Sequence, residues 1–173
     1  MELRDGDLVL RPWTEDDVPA LVEACSDPEI PRWIPVIPVP YTERDGLAFV
    51  RGEVEGSPEY SFAVTEKGSL AGAIGMALNS HRYRGTIGYW VVASARGRGV
   101  CARALRVLCA WALDELRLER LELITDPDNV ASQRCAEKVG FLREGVMRAH
   151  LRHPDGRIRD SVLFSLLPGE LVD

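Results

Sequence analysis

Lysine is almost missing from this chain. It stands only at positions 67 and 138, so nearly all of the 21 basic side chains are arginine. The one glycine-rich loop is not followed by lysine, which excludes a Walker A phosphate loop, G-x-x-x-x-G-K-[ST]. Histidine is also scarce, at 81, 150 and 153. His150 and His153 would lie on opposite faces of a strand. The four cysteines, at 25, 101, 109 and 135, have no C-x-x-C spacing. No metal site is therefore expected. Three of these thiols fall in expected helices. The first residues carry no basic-then-apolar pattern, so the expected compartment is a reducing cytoplasm. No run of 18 apolar residues is present, and no membrane span is expected. A net charge of −6 argues against a surface that coats nucleic acid.

What remains is ordinary globular material: 46% hydrophobic and 28% charged in 173 residues. That suits one domain spanning 1–173 with a substantial core. Leu8 to Pro12 reads as a first strand. Thr14 opens a helix, with three acids that suit its N-terminal dipole. Prolines at 31, 35, 38 and 40 predict an extended, non-helical stretch. On it, Trp33, Ile34 and Ile37 either cap the core or wall a substrate groove. Thr42 starts a second helix, predicted to reach about Glu55 with Leu47, Val50 and Val54 inward. Tyr60–Val64 and Leu70–Leu78 form a hairpin around Lys67-Gly68, and Gly72 and Gly75 permit close packing.

A fourth strand, Thr86 to Val92, runs into Arg96-Gly97-Arg98-Gly99 and at once into a long helix. Leu105, Leu108, Cys109, Ala112 and Leu116 share one face of that helix. Leu121–Thr125 is a fifth strand, after a helix and so parallel to the fourth. Asp126–Asn129 turns into a last helix that stops at Gly140. Two strands, Glu144–Arg152 and Arg157–Leu167, close the chain around Pro154-Asp155-Gly156. The predicted order is β-α-α-β-β-β-α-β-α-β-β. The fold class is α/β (α+β): a mixed, mostly antiparallel sheet with parallel strands four and five, flanked by about four helices.

The glycine loop carries the chemistry. Glycines leave backbone N–H groups uncovered, and the first turn of a helix adds unpartnered donors with partial positive charge. Such a loop suits a pyrophosphate. Gly97-x-Gly99-x-x-Ala102 fits a loose dinucleotide fingerprint, with Glu122 near the acidic offset. Arg96-x-x-Gly99-x-Cys101 fits R/Q-x-x-G-x-G/A. A plain strand-to-helix turn with solvated arginines is the third reading. The dinucleotide fold expects its fingerprint after the first strand. Here some ninety residues of helix and antiparallel meander precede the loop.

The second of these patterns resembles the coenzyme A loop of the GNAT superfamily of N-acetyltransferases. Cys101 departs from the usual Gly/Ala but is small. Gly88-Tyr-Trp90, Asn129-x-x-Ser132, Glu137-Lys-Val-Gly140-Phe141 and Glu144-Gly145 extend the likeness to the RimJ/RimL-type branch, over about residues 5 to 170. The resemblance implies acetyl-CoA as co-substrate and direct attack of a primary amine on its thioester. The acceptor it implies is most nearly a protein or peptide N-terminal α-amine; small amines or antibiotics are alternatives. A homodimer is left open.

By the same resemblance, Trp90, Val91 and Val92 offer backbone groups to the pantetheine arm, beside a bulge that splays strands four and five. Arg96, Gly97, Arg98, Gly99, Val100, Cys101 and Ala102 hold the pyrophosphate. Asn129 bonds the pantetheine arm or simply caps its helix. Ser132 stands where the branch has a candidate proton donor to the leaving thiolate, or is a first-turn serine bonded to backbone. Two positions depart from the wider family. Thr86 occupies the place of a usual glutamate base, and Ala136 that of a usual tyrosine acid. Glu122 is a substitute candidate for the base, and His81 reads as a hairpin residue. Both departures favour a catalytically weak acyl-CoA-binding module as a rival reading. A nucleotide-dependent oxidoreductase is the third.

Overall fold

The computed structural model describes residues 1–172. Eight strands form one sheet in the order β1-β2-β3-β4-β5-β6-β8-β7. They are β1 (Leu3–Asp5), β2 (Leu8–Arg11), β3 (Tyr60–Glu66), β4 (Ser69–Leu78), β5 (Arg84–Val91), β6 (Arg120–Thr125), β7 (Leu142–Arg152) and β8 (Ile158–Leu166). Every neighbouring pair is antiparallel except β5 and β6. The predicted fourth and fifth strands are β5 and β6, because an unforeseen hairpin, β1–β2, begins the chain. Gly6 at its tip takes a φ of 59°, which a side chain would resist.

Five α-helices flank the sheet, one more than predicted: α1 (Val18–Cys25), α2 (Glu29–Trp33), α3 (Glu43–Val50), α4 (Val100–Asp114) and α5 (Val130–Val139). The extra one is α2, inside the stretch whose prolines predicted no helix. Pro31 falls in its first turn, where a missing N–H costs no intrahelical bond. After Trp33 the chain turns, with Ile37 N–H donating to the Ile34 carbonyl at 3.0 Å, so the predicted extended run is replaced by a turn. Helix α3 starts on a Thr42–Asp45 capping box, with Asp45 N–H donating to Thr42 Oγ1 at 3.3 Å. It ends at Val50 rather than near Glu55, and Val54 is exposed rather than inward.

The core lies between the sheet and α4–α5. Leu105, Leu108, Cys109 and Ala112 of α4 are fully buried, as their spacing predicts. Each buried leucine contributes about 1.5–3 kcal/mol of apolar transfer. Trp111 adds edge contacts to Tyr60 and Phe62, with ring centroids 5.0 and 6.4 Å apart. From the sheet come Ile74, Met76, Ile87, Leu121, Leu123, Val162, Phe164 and Leu166. Strand alternation therefore turns Ala73, Gly75, Ala77, Thr86, Gly88, Trp90, Glu122, Ile124, Ser161 and Ser165 to the opposite face. Gly72 is required by close approach: a Cβ there would collide with the Trp90 carbonyl.

Candidate active site

Between β5 and α4 the chain makes a 3₁₀ turn, Ala93–Ala95, then the turn Arg96–Gly99. Gly97 and Gly99 have φ of 71° and 80°, and a Cβ added to either meets no atom within 4 Å. The loop is thus both strained for a side chain and open above its backbone. Gly99 is the N-cap of α4, with no side-chain cap, and Arg103 N–H is the first to reach back to the Gly99 carbonyl. The N–H groups of Val100, Cys101 and Ala102 have no intrahelical acceptor. The Val100 and Ala102 side chains are buried, anchoring the turn from below.

The loop arginines already have partners. Arg96 donates to the Val91 carbonyl at 3.1 Å and to Asp27 Oδ2 at 2.6 Å. Arg98 donates to Glu66 Oε2 at 2.5 Å. Arg103 meets Asp5, Asp7 and Glu66. The attraction this loop offers an anion is mainly that of backbone N–H groups and the dipole of a 15-residue helix.

Beside the loop the sheet splits. Pairing of β5 with β6 runs from Arg84↔Arg120 to Ile87↔Leu123 and stops, although β5 continues to Val91 and β6 to Thr125. The predicted splay is present. The bulge predicted to cause it is not: the β4–β5 ladder runs unbroken from Leu78↔Gly85 to Gly72↔Val91. Val92 N–H donates to the Ala71 carbonyl at 2.9 Å. Antiparallel alternation then commits Trp90 and Val92 to β4 and turns the backbone groups of Tyr89 and Val91 into the split. Of the three predicted backbone contributors, only Val91 faces the opening, and Tyr89 joins it.

Helix α5 starts on the far side of the split. Asn129 is its N-cap, accepting from Ser132 N–H at 3.1 Å, so the capping reading of Asn129 holds in the structure. It also borders the cleft below. Ser132 Oγ lies 3.0 Å from the Tyr89 hydroxyl, a side-chain partner rather than the predicted backbone one. Removal from water pushes the Tyr89 hydroxyl well above its ordinary pKa, with neighbouring Cys101 and Cys135 adding to the shift. Tyr89 stays protonated and can donate to Ser132. Cys101 is also near this point, its Sγ 3.0 Å from Cys135 Sγ. Ala136 is fully buried in the core, offering no acid.

On the sheet face opposite α4, a cleft of about 900 Å³ opens onto the split. Trp33, Ile34 and Ile37 wall it and are not among the residues packed in the core. Thr86 lines its floor, as do Gly88 and Trp90. Thr86 pairs in register with Glu122, but that carboxylate is not free. Glu122 Oε1 accepts from Arg120 at 2.8 Å and Arg84 at 3.3 Å, and Arg120 also grips Glu144 through two 2.7 Å bonds. Glu122 belongs to a structural ion network, which overturns it as a base. His81 sits in the β4–β5 turn, as predicted. His150, which the sequence left without a role, lines the cleft and lies 3.0 Å from Ser161 Oγ. Tyr89 and His150 were both missed. Tyr89 was within reach, through strand parity in the Gly-Tyr-Trp run.

Among the described residues, no group of three or more His, Cys, Asp or Glu is arranged to hold a metal ion, and no helix is long and apolar enough to cross a membrane. The family model "Acetyltransferase (GNAT) domain" matches residues 7–142. An uncharacterized N-acetyltransferase of Bacillus licheniformis, p20, is 28% identical over 170 residues, 94% of each chain. The structure of Mycobacterium smegmatis RimJ in complex with CoA-disulfide superposes with a TM-score of 0.84 at 24% identity, covering 100% of this chain and 88% of that one. RimL, a ribosomal L7/L12 alpha-N-protein acetyltransferase solved with coenzyme A, superposes with a TM-score of 0.82 at 20% identity, covering 96% and 98%. With a glycine loop at a bare helix start, a sheet split beside it and a family match over most of its length, the chain belongs to the GNAT acetyltransferase family.

Proposed function

We propose that this protein is an acetyl-CoA-dependent N-acetyltransferase whose acceptors are protein or peptide N-terminal α-amines. One observation carries the reading: the split between β5 and β6 joins two unlike sites, the bare helix start at Gly99 and the apolar cleft. Coenzyme A fits the first. Arg96 to Ala102 would hold its pyrophosphate, since the space over Gly97 and Gly99 is open to a phosphate. Val91, with Tyr89, would meet the pantetheine arm as a sheet edge meets an added strand, with Asn129 at the opposite side. A backbone N–H in the split would face the thioester oxygen. The amine attacks the carbonyl carbon, the C–S bond breaks, and Ser132, its hydroxyl held by Tyr89, would pass a proton to the departing sulfur and be restored by the proton the nitrogen loses as the amide forms.

The acceptor class follows from the proton an ammonium group must lose before it attacks, which Thr86 cannot take and which costs less for a weaker base. Only a neutral amine attacks. At pH 7 the neutral form costs about 1.2 kcal/mol for a peptide α-amine of pKa about 7.8, and about 4.6 kcal/mol for lysine of pKa about 10.4. That gap exceeds two decades in rate. The name of the RimL neighbour, an alpha-N-protein acetyltransferase, supports the same choice. Two peptides test it, one with a free N-terminus and no lysine, the other N-blocked with one lysine. The first should be acetylated over 100-fold faster at pH 7. Faster acetylation of the blocked lysine peptide would refute the acceptor class. Tight coenzyme A binding without thiol release for any amine would favour an acyl-CoA-binding module.

A further inference from the structure

We infer that His150 is the base that takes the proton from the acceptor's ammonium group. The inference rests on the N-acetyltransferase reading above and supplies the group that Thr86 cannot. Four observations bear on it.

The first is its position. His150 lines the same cleft as Thr86, Trp90 and Ser132, although it comes from the far edge of the sheet. The second is the device that puts it there. Between Met147↔Ser161 and Leu151↔Arg159, strand β7 uses four steps where β8 uses two. In an unbroken ladder His150 would face Ile158, three residues away from Ser161. The extra residues hold it back beside Ser161. Ala149 takes a φ of 52° at this bulge, and its N–H donates to Asp160 Oδ1 at 2.8 Å. A non-glycine residue in that conformation is costly and persists where its surroundings fix it.

The third observation is the hydrogen bond. Ser161 is buried, on the cleft-facing side of β8, and its Oγ lies 3.0 Å from His150 Nδ1. When Nδ1 carries the hydrogen it donates to Ser161, and Nε2 keeps the lone pair a base needs. On protonation the Nδ1–H bond to Ser161 is retained and the new proton resides on Nε2. The amine nitrogen then holds the free pair that attacks the thioester.

The fourth is the lack of rivals. Asp126 is ion-paired with Arg159, and Asp160 is occupied by Ala149. His153, just past the end of β7, is not among the residues lining the cleft. Across the cleft, Asp45 is held as a carboxylate by its bonds with Thr42, and burial keeps the Tyr41 hydroxyl protonated. Glu55 is the remaining carboxylate that lines the cleft, on the exposed connection between α3 and β3. Imidazole is better matched than a carboxylate to an α-ammonium near neutral pH.

The test uses the full chain, acetyl-CoA and a lysine-free peptide with a free N-terminus. His150→Gln should slow transfer by about 10²-fold at pH 7 while coenzyme A affinity stays within twofold of the parent. In His150→Ala, added imidazole should restore turnover in proportion to its concentration, which a residue needed only for packing would not permit. Ser161→Ala, which removes the positioning bond, should lose roughly tenfold in the parent and nothing further in the His150→Ala background. Transfer by His150→Gln within twofold of the parent would overturn the inference, as would a His150→Ala loss that imidazole leaves unchanged. So would a loss confined to Glu55→Gln. In each of those cases the parent still acetylates the peptide, and the proposed function stands. If the parent turns over no amine, both fall together.

Discussion

The two sides of the split sheet are built in different ways. The side proposed for the cofactor is local. Fifteen consecutive residues, from Trp90 to Ala104, supply the strand end, the glycine loop and the helix start, and α4 locks them to the core through Val100, Ala102 and Ala104. The side proposed for the acceptor is assembled from afar: the α2–α3 stretch, the floor of β4 and β5, and the bulged hairpin β7–β8. A local site can be specified by a short motif, because its geometry depends on a few φ angles. A site assembled from loops is free to vary without disturbing the fold. One scaffold can then keep its donor and change its acceptor.

Variants should divide along that line. The largest effect is expected where the two sides meet. Ser132→Ala should lower single-turnover acetyl transfer by up to about 10²-fold with coenzyme A affinity unchanged. Equal rates in variant and parent would assign Ser132 to the Tyr89 contact alone. Next comes Gly99→Val, which places a branched side chain at φ 80° over the open loop. Coenzyme A affinity should fall more than about tenfold, or 1.4 kcal/mol, by calorimetric titration. An unchanged affinity in the folded variant would remove the loop from the cofactor site.

Trp33→Ala should mark the other side, raising the acceptor KM roughly fivefold, near 1 kcal/mol, without altering coenzyme A affinity. A change in both constants would erase the separation between the sides. Arg96→Ala should weaken coenzyme A by less than Gly99→Val does, because Arg96 is 38% exposed and already tied to Asp27. The reverse order would mean that charge rather than backbone holds the pyrophosphate.

The smallest effect concerns the ion network that links β5, β6 and β7 through Arg84, Arg120, Glu122 and Glu144. Bonds from Arg120 first, and then Ser165, hold the Glu144 carboxyl down at about 2, against an ordinary value of 4.5. Its folded-state pKa is depressed, so its stabilising contribution is present above pH 4.5 and fades as pH falls towards 2. Glu144 is 40% exposed, so the contribution is under about 1 kcal/mol. Glu144→Gln should be slightly less stable than the parent at pH 7 and equal to it near pH 2, by urea titration. Loss of acetyl transfer in this variant at neutral pH would give the network a role beyond structure.

Legibility in the sequence followed the same division. Arg96-x-x-Gly99-x-Cys101 between an apolar strand and an apolar-faced helix placed the loop correctly, because each of its constraints is local. Gly140 stops α5 as an αL cap with φ 110°, again as a lone residue dictates. The proline stretch misled at Pro31, since a proline's effect depends on which turn of a helix it occupies, and the start at Pro28 was not evident. Glu122 looked available because its distance from Arg84 along the chain conceals a contact across parallel strands. His150 looked like one more strand residue, because a bulge changes register without a reliable signature in one strand alone.

By itself, then, the sequence determined most of the elements though not β1 or α2, the parallel crossover that carries the glycine loop, and the residues of α4 that build the core. Those follow from periodicity, turn chemistry and caps, which act over a few residues. Tertiary structure alone decided which backbone groups enter the split, that Tyr89 meets Ser132, that Arg84 and Arg120 consume Glu122, and that His150 reaches the cleft. These depend on how strands pair and which way their side chains face, and both are fixed only when the whole sheet closes over one core.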